Sequence, residues 1–115
     1  MNELNIAYLN MFSLSGLLKS IEYIQYGAPE DEKYMVEFII EKDKTNIVRF
    51  KSFYSSVKRS MESEVKIDDF IQVTFKVEGK EYKGRVYNDL IATKVILLKE
   101  DRNRKKIEDN AEAES

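Results

Sequence analysis

The chain has 115 residues, a formal net charge of −2 and a hydrophobic fraction of 43%, values that fit a single globular domain with a modest core. It contains no cysteine and no histidine, which excludes disulfides and thiolate chemistry and predicts a reducing, cytoplasmic compartment. No apolar run approaches the roughly 18 residues that a membrane span requires.

The first predicted strand covers residues 12–24 and contains Gly16, a position at which a bend or a bulge is expected. Residues 1–11 before it fit either a helix or a strand and are treated as an N-terminal extension. After the strand, Gly27 and the single proline, Pro29, predict a loop.

Residues 35–41 and 47–53 are predicted to form the second and third strands. A turn centred on Lys44 sets their antiparallel register. The register predicts two core pairs and two pairs on the opposite face of the sheet: Phe38 with Phe50, Ile40 with Val48, Ile39 with Arg49, and Glu37 with Lys51.

A short helix follows, because Val57 and Met61 lie four residues apart among serines and charged residues. Its narrow apolar stripe predicts that it caps one end of the sheet. Asp68 and Asp69 are then expected to shape the start of a fourth strand, in which alternate residues from Ile71 onward face one way.

The fourth and fifth strands are predicted to form a hairpin with its turn at Lys83–Gly84, flanked by Tyr82 and Arg85. A turn at Gly79–Lys80 is the alternative. If the first turn is correct, the glycine of the second lies within the strand, where its conformational freedom allows the strand to coil sharply. The last strand is predicted to run to Leu98.

Three strands, a short helix and a closing hairpin are the chain order of the OB-fold, a five-stranded Greek-key barrel. The predicted fold class is therefore all-β with one short helix, in one domain covering residues 12–98. Residues 99–115 contain one sizeable apolar residue, Ile107, and are predicted to form a disordered charged tail.

The stretch "VKIDDFIQVTFKVEGKEYKGRVYNDLIATKV" resembles the second half of OB-fold single-stranded-DNA-binding proteins. It resembles more closely a small uncharacterised bacterial family of that superfamily, in which a glycine- and aromatic-containing hairpin is followed by Asp, an aliphatic residue and Ala. The matching residues are Gly79, Lys80, Glu81, Tyr82, Lys83, Gly84 and Arg85, then Asp89, Leu90 and Ala92. The resemblance covers about residues 34–98 and implies an OB-fold that binds single-stranded DNA.

The charge distribution locates the candidate binding surface. Residues 41–60 carry six Lys or Arg and two acidic residues, whereas residues 1–40 carry two and six. Arg49, Lys51 and Phe53 share one side of the third strand, on the sheet face that OB-folds commonly use for ligands. Cations there would contact phosphates, and the aromatic ring would stack on a base.

An alternative interpretation of the same face is that Glu37 and Glu41 neutralise its cations and leave an ordinary salt-bridged surface. At the hairpin, Tyr82, Lys83, Arg85 and Tyr87 are the candidate nucleic-acid-binding residues. The alternative there is that the two tyrosines are cross-strand neighbours and the cations are merely solvated. Tyr23 and Tyr26 border the first loop and are expected to fasten it, with stacking on a ligand as the alternative.

These observations predict a non-catalytic module that binds single-stranded nucleic acid, DNA in preference to RNA, with little sequence preference and with strong salt dependence. The alternative function is a protein-interaction or assembly module on the same fold. No enzyme, cofactor or metal is expected, because the carboxylates lack metal-ligand spacing and no phosphate-binding glycine loop is present. Association of copies through open sheet edges is also expected.

Overall fold

Five strands and one α-helix make up the described part of the chain, residues 10–101 of a computed structural model. They are β1 (Met11–Tyr26), β2 (Lys33–Asp43), β3 (Asn46–Ser52), α1 (Ser55–Ser63), β4 (Phe70–Tyr82) and β5 (Arg85–Lys99), with a 3-10 turn at Pro29–Asp31. The barrel extends one residue beyond each predicted limit of 12–98. The predicted extension and tail fall largely on residues 1–9 and 102–115, outside the described residues.

The strands close into a barrel in the order β1-β2-β3-β5-β4, and β4 pairs back onto β1. Neighbouring strands are antiparallel except for β3 and β5, which run parallel and share one bridge in the described residues, between Lys51 and Ile91. A closed five-stranded barrel with a helix between its third and fourth strands is the OB-fold. The predicted fold class is confirmed.

β1 pairs with two strands and bends at the point where it changes from one to the other. Its first half pairs with β4 and its second with β2, and Leu17 pairs with both. Gly16 lies directly before this corner, and a Cβ on it would stand 2.7 Å from the carbonyl oxygen of Glu41. The ladder to β2 then slips between Leu18 and Ser20. The prediction of a bend or bulge at Gly16 is confirmed. Glycine is needed there because a side chain would hold the two backbones apart.

The prediction for Gly79 is wrong. Its φ is not positive, and the β4–β5 ladder runs regularly through it. The ladder is shifted instead between Phe70 and Ile71 and between Thr74 and Phe75, where an extra residue on β5 increases the local twist. Coiling of β4 therefore depends on bulges in its partner strand.

The hairpin turn lies at Lys83–Gly84, as predicted, and Tyr82 pairs with Arg85 across it. Lys83 has φ 51° and Gly84 has φ 77°. Two successive residues with positive φ define a type I′ turn, whose twist matches that of the flanking strands. The alternative turn at Gly79–Lys80 is excluded.

The core begins in the β2–β3 pair, which has the predicted register at all four positions. Phe38 and Phe50 are fully buried, and their stacked rings have centroids 5.4 Å apart. The ring of Phe50 also lies 5.0 Å from that of Phe75 on β4. Burial of each such side chain stabilises the fold by roughly 1.5–3 kcal/mol.

The helix α1 adds Val57 and Met61 to the core, as its spacing predicted. Ser52, the last residue of β3, fixes where the chain leaves the barrel for the helix. Its buried hydroxyl donates to the carbonyl oxygen of Ala92 on β5 at 2.7 Å and accepts from the N–H of Tyr54 at 3.2 Å. The start of α1 is thereby tied to β5.

The two aspartates before β4 have different roles. Asp69 is fully buried, and its carboxylate accepts hydrogen bonds from the N–H groups of Lys66 and Asp101, each at 2.9 Å. It therefore links the start of β4 to the residues that follow β5. Asp68 is exposed, has φ 73° and forms an ion pair with Lys19 at 3.0 Å. The prediction that Asp68 and Asp69 shape the start of β4 is confirmed.

Candidate nucleic-acid interface

The outer face of β3 carries the first two candidate cations. The alternation of the strand turns Phe50 and Ser52 into the barrel and Arg49 and Lys51 outward. Because Lys51 also bridges to Ile91, this face continues onto β5.

Each of these cations has a carboxylate partner. Arg49 Nε lies 3.2 Å from Glu37 Oε1, and its side chain remains 71% exposed. Lys51 Nζ lies 2.9 Å from Asp89 Oδ2 in a pair that is about two-thirds buried. The predicted neutralisation by Glu37 is correct for Arg49. Glu41, in contrast, pairs with Lys19, at 3.4 Å.

A groove opens beside the Lys51–Ile91 bridge, where β3 and β5 separate. Its volume is about 350 Å³. Met35 and Leu90 give it an apolar part, and Glu37, Arg49, Lys51, Asn88 and Asp89 give it charged and polar groups. The lining therefore carries as many carboxylates as cations.

Phe53 belongs to an aromatic pair beyond the end of β3. Its ring is 50% exposed and meets the ring of Tyr26 edge to face, with centroids 5.3 Å apart. Tyr26 therefore lies beside a candidate stacking residue, as the ligand-stacking alternative for this tyrosine requires. The exposed face of Phe53 offers a flat apolar surface on which a base can stack.

The hairpin tip carries the remaining candidates. The ring of Tyr82 is 63% exposed, with Lys83 Nζ 5.4 Å from its centroid, in a cation–π contact. Tyr87 pairs with Lys80 in the ladder, and Tyr82 with Arg85. The two tyrosines are therefore diagonal neighbours on one face of the hairpin rather than a directly opposed pair. The alternative of cross-strand neighbours is compatible with this register.

One face of β5 connects the tip to the groove. Arg85, Tyr87 and Asp89 alternate along the strand, so they point to the same side, and Asp89 contacts Lys51 at the groove. The candidate residues on β3 and at the tip therefore belong to one continuous outer surface, which we call the outer face.

Lys76 is a further cation on β4 near this face. A hydrogen bond with the hydroxyl of Tyr54, aided by Glu78, raises the pKa of Lys76 above its usual value. Its Nζ lies 5.8 Å from the centroid of the Tyr54 ring. No pattern in the sequence indicated this contact, because Tyr54 lies in the connection between β3 and α1.

Within residues 10–101, no group of three or more acidic, His or Cys side chains is arranged to hold a metal ion. No helix in the same part of the chain is long and apolar enough to cross a membrane.

The fold recurs in several solved structures. The mitochondrial single-stranded DNA binding protein Rim1 of S. cerevisiae is 15% identical over 79% of this chain and 97% of its own, with a TM-score of 0.64. The second single-stranded DNA binding protein of Mycobacterium smegmatis, SSBb, is 16% identical over 83% and 89%, with a TM-score of 0.57. The N-terminal domain of PriB from Thermoanaerobacter tencongensis is 12% identical over 80% and 99%, with a TM-score of 0.55.

No protein-family model and no curated protein sequence matches the chain. The structural similarity shows that the chain shares the barrel of these proteins, the OB-fold that the sequence resemblance implied.

Proposed function

We propose that the protein is a non-catalytic module that binds single-stranded nucleic acid, DNA in preference to RNA, along the outer face. The observation that carries this proposal is the combination of exposed aromatic rings and cations on that face. Tyr82 offers a stacking surface there, Phe53 offers a second one just beyond the end of β3, and Arg49, Lys83 and Arg85 offer phosphate contacts. The barrel shared with proteins named for single-stranded DNA binding supports the same function.

The direct test is fluorescence anisotropy of a labelled oligo-dT at several salt concentrations. Binding should weaken as salt rises, with a log–log slope of about −0.7 for each phosphate neutralised on a single strand. Absence of binding at low salt would refute the proposal.

Matched variants then test the surface. Tyr82→Ala should weaken binding by roughly five- to a hundredfold, because stacking on an aromatic ring contributes about 1–3 kcal/mol per base. Tyr34→Ala is the aromatic control, since this ring lies under Lys58 of α1, away from the outer face. Equal losses in the two variants would show that the effect is not specific to the outer face.

The cations are tested in the same way. Arg85→Ala should make the salt slope shallower by about 0.7 if the guanidinium contacts one phosphate. Arg59→Ala is the control, because Arg59 is exposed on α1. An unchanged slope in Arg85→Ala would remove Arg85 from the interface.

Association of copies is a second candidate function, favoured by apolar side chains on the other face of the hairpin. Val77 and Val86 are 46% and 70% exposed there. An isolated pair of strands with such a face gains stability by covering it. Light scattering with size exclusion should detect a dimer that Val86→Lys converts to monomer. A monomeric wild-type protein would refute this candidate.

A further inference from the structure

The groove between β3 and β5 has a composition that is unexpected for a phosphate site. Glu37 and Asp89 place two carboxylates in its lining, and each is less than one-third exposed. A phosphate seated there would meet both negative charges at short range, where partial burial weakens solvent screening. The sugar–phosphate backbone of a nucleic acid is therefore expected to pass along the rim of the groove, near the exposed guanidinium of Arg49.

A neutral ring meets no such repulsion. The volume of about 350 Å³ lies at the lower end of the range of about 300–1,000 Å³ for small-molecule pockets, so it suits one base rather than several. Met35 and Leu90 supply apolar contact for the ring, and the polar side chains supply hydrogen bonds for its edge.

The hydrogen-bonding groups favour one kind of base. An ionised carboxylate only accepts hydrogen bonds and has about four lone-pair sites, so Asp89 can accept from a base while it pairs with Lys51. Carboxylates accept from the exocyclic amino group of cytosine. Thymine has a carbonyl oxygen at that position, which a carboxylate repels. Lys51 can donate to the ring nitrogen or the carbonyl oxygen of cytosine.

From these observations we infer that the groove is a base-reading subsite that takes a single base with an exocyclic amino group, cytosine in preference to thymine, through the carboxylates of Glu37 and Asp89. This inference rests on the proposed function and gives the outer face a sequence preference. Stacking on Phe53 and Tyr82 would remain tolerant of sequence.

The test compares labelled oligo-dC and oligo-dT of equal length and therefore equal charge, by anisotropy with the full chain at one salt concentration and neutral pH. Oligo-dC should bind roughly fivefold tighter or more, since a good side-chain–base pair discriminates by about 1–3 kcal/mol. Equal binding of both oligomers would overturn this inference and leave the proposed function intact. Absence of binding by both would overturn both.

The Asp89→Asn variant tests the mechanism. An amide both donates and accepts, so it can serve thymine as well as cytosine, and the ratio of affinities should fall towards one. Oligo-dT should bind at least as tightly as to wild type, because Lys51 loses its carboxylate partner. The Asp68→Asn control removes the same charge outside the groove and should keep the ratio. A ratio that survives in Asp89→Asn would overturn the inference.

Discussion

Replacement of Asp69 by asparagine tests whether its buried carboxylate holds the two ends of the β4–β5 unit together. The wild-type side chain accepts from the N–H groups of Lys66 and Asp101, each at 2.9 Å. A hydrogen bond to a charged group contributes roughly 1.5–3 kcal/mol. Asparagine keeps one acceptor oxygen but turns an NH₂ group towards the other N–H donor. We expect the free energy of unfolding to fall by roughly 2–4 kcal/mol.

Urea unfolding followed by circular dichroism measures this loss, which should lower the midpoint by roughly 1–2 M at the slopes usual for small domains. The neighbouring Asp68→Asn variant is a close control. Its carboxylate is exposed, its ion pair with Lys19 is on the surface, and asparagine tolerates its φ of 73°. Equal midpoints for the two variants would refute the structural role of Asp69.

Three further predictions concern the backbone and the turns. Gly16→Ala should destabilise the fold by roughly 1–3 kcal/mol in the same urea assay, because its Cβ would overlap the neighbouring strand; a wild-type midpoint would refute the close approach. Hydrogen bonds, first from Asn46, lower the pKa of Asp43 from 3.8 to about 2. A lowered pKa gives stability that is present above pH 3.8 and is lost as the pH falls through about 2. Asp43→Asn should therefore make the stability depend less on pH in that window. An unchanged acid unfolding curve would contradict this. Lys83→Asn should stabilise the hairpin by up to about 1 kcal/mol, since Asn–Gly suits the positive φ angles of Lys83 and Gly84; a lower melting temperature would argue against the type I′ turn.

The sequence predicted those parts of the fold whose register is set locally. The turn after β2 fixes which residues face one another, so the pairing of Phe38 with Phe50 followed from alternation and turn position. The turn at Lys83–Gly84 and the bend at Gly16 followed from glycine placement. The prediction that β4 coils at Gly79 was wrong because bulges in the partner strand supply the twist. A glycine in a strand can then keep ordinary extended backbone angles.

The candidate site was predicted by residue type but not by partner. Alternation placed Arg49 and Lys51 outward, and the turn placed Tyr82 at the tip. The contact of Lys51 with Asp89 depends on the parallel approach of β3 to β5, two strands separated by a helix and a third strand. No local turn sets that register, so neither the ion pair nor the groove could be read from the chain.

In residues 10–101, β3 and β5 share a single bridge, so this boundary has the fewest backbone pairings of any two neighbouring strands in the barrel. Segments with few backbone hydrogen bonds open at the lowest free energy, so amide exchange should be fastest along this boundary. The groove lies directly beside it, and anything seated there touches both strands. A ligand bound in the groove would hold the two strands together and slow the opening of the barrel. The rate of amide exchange in β3 and β5 would then show whether a ligand is bound.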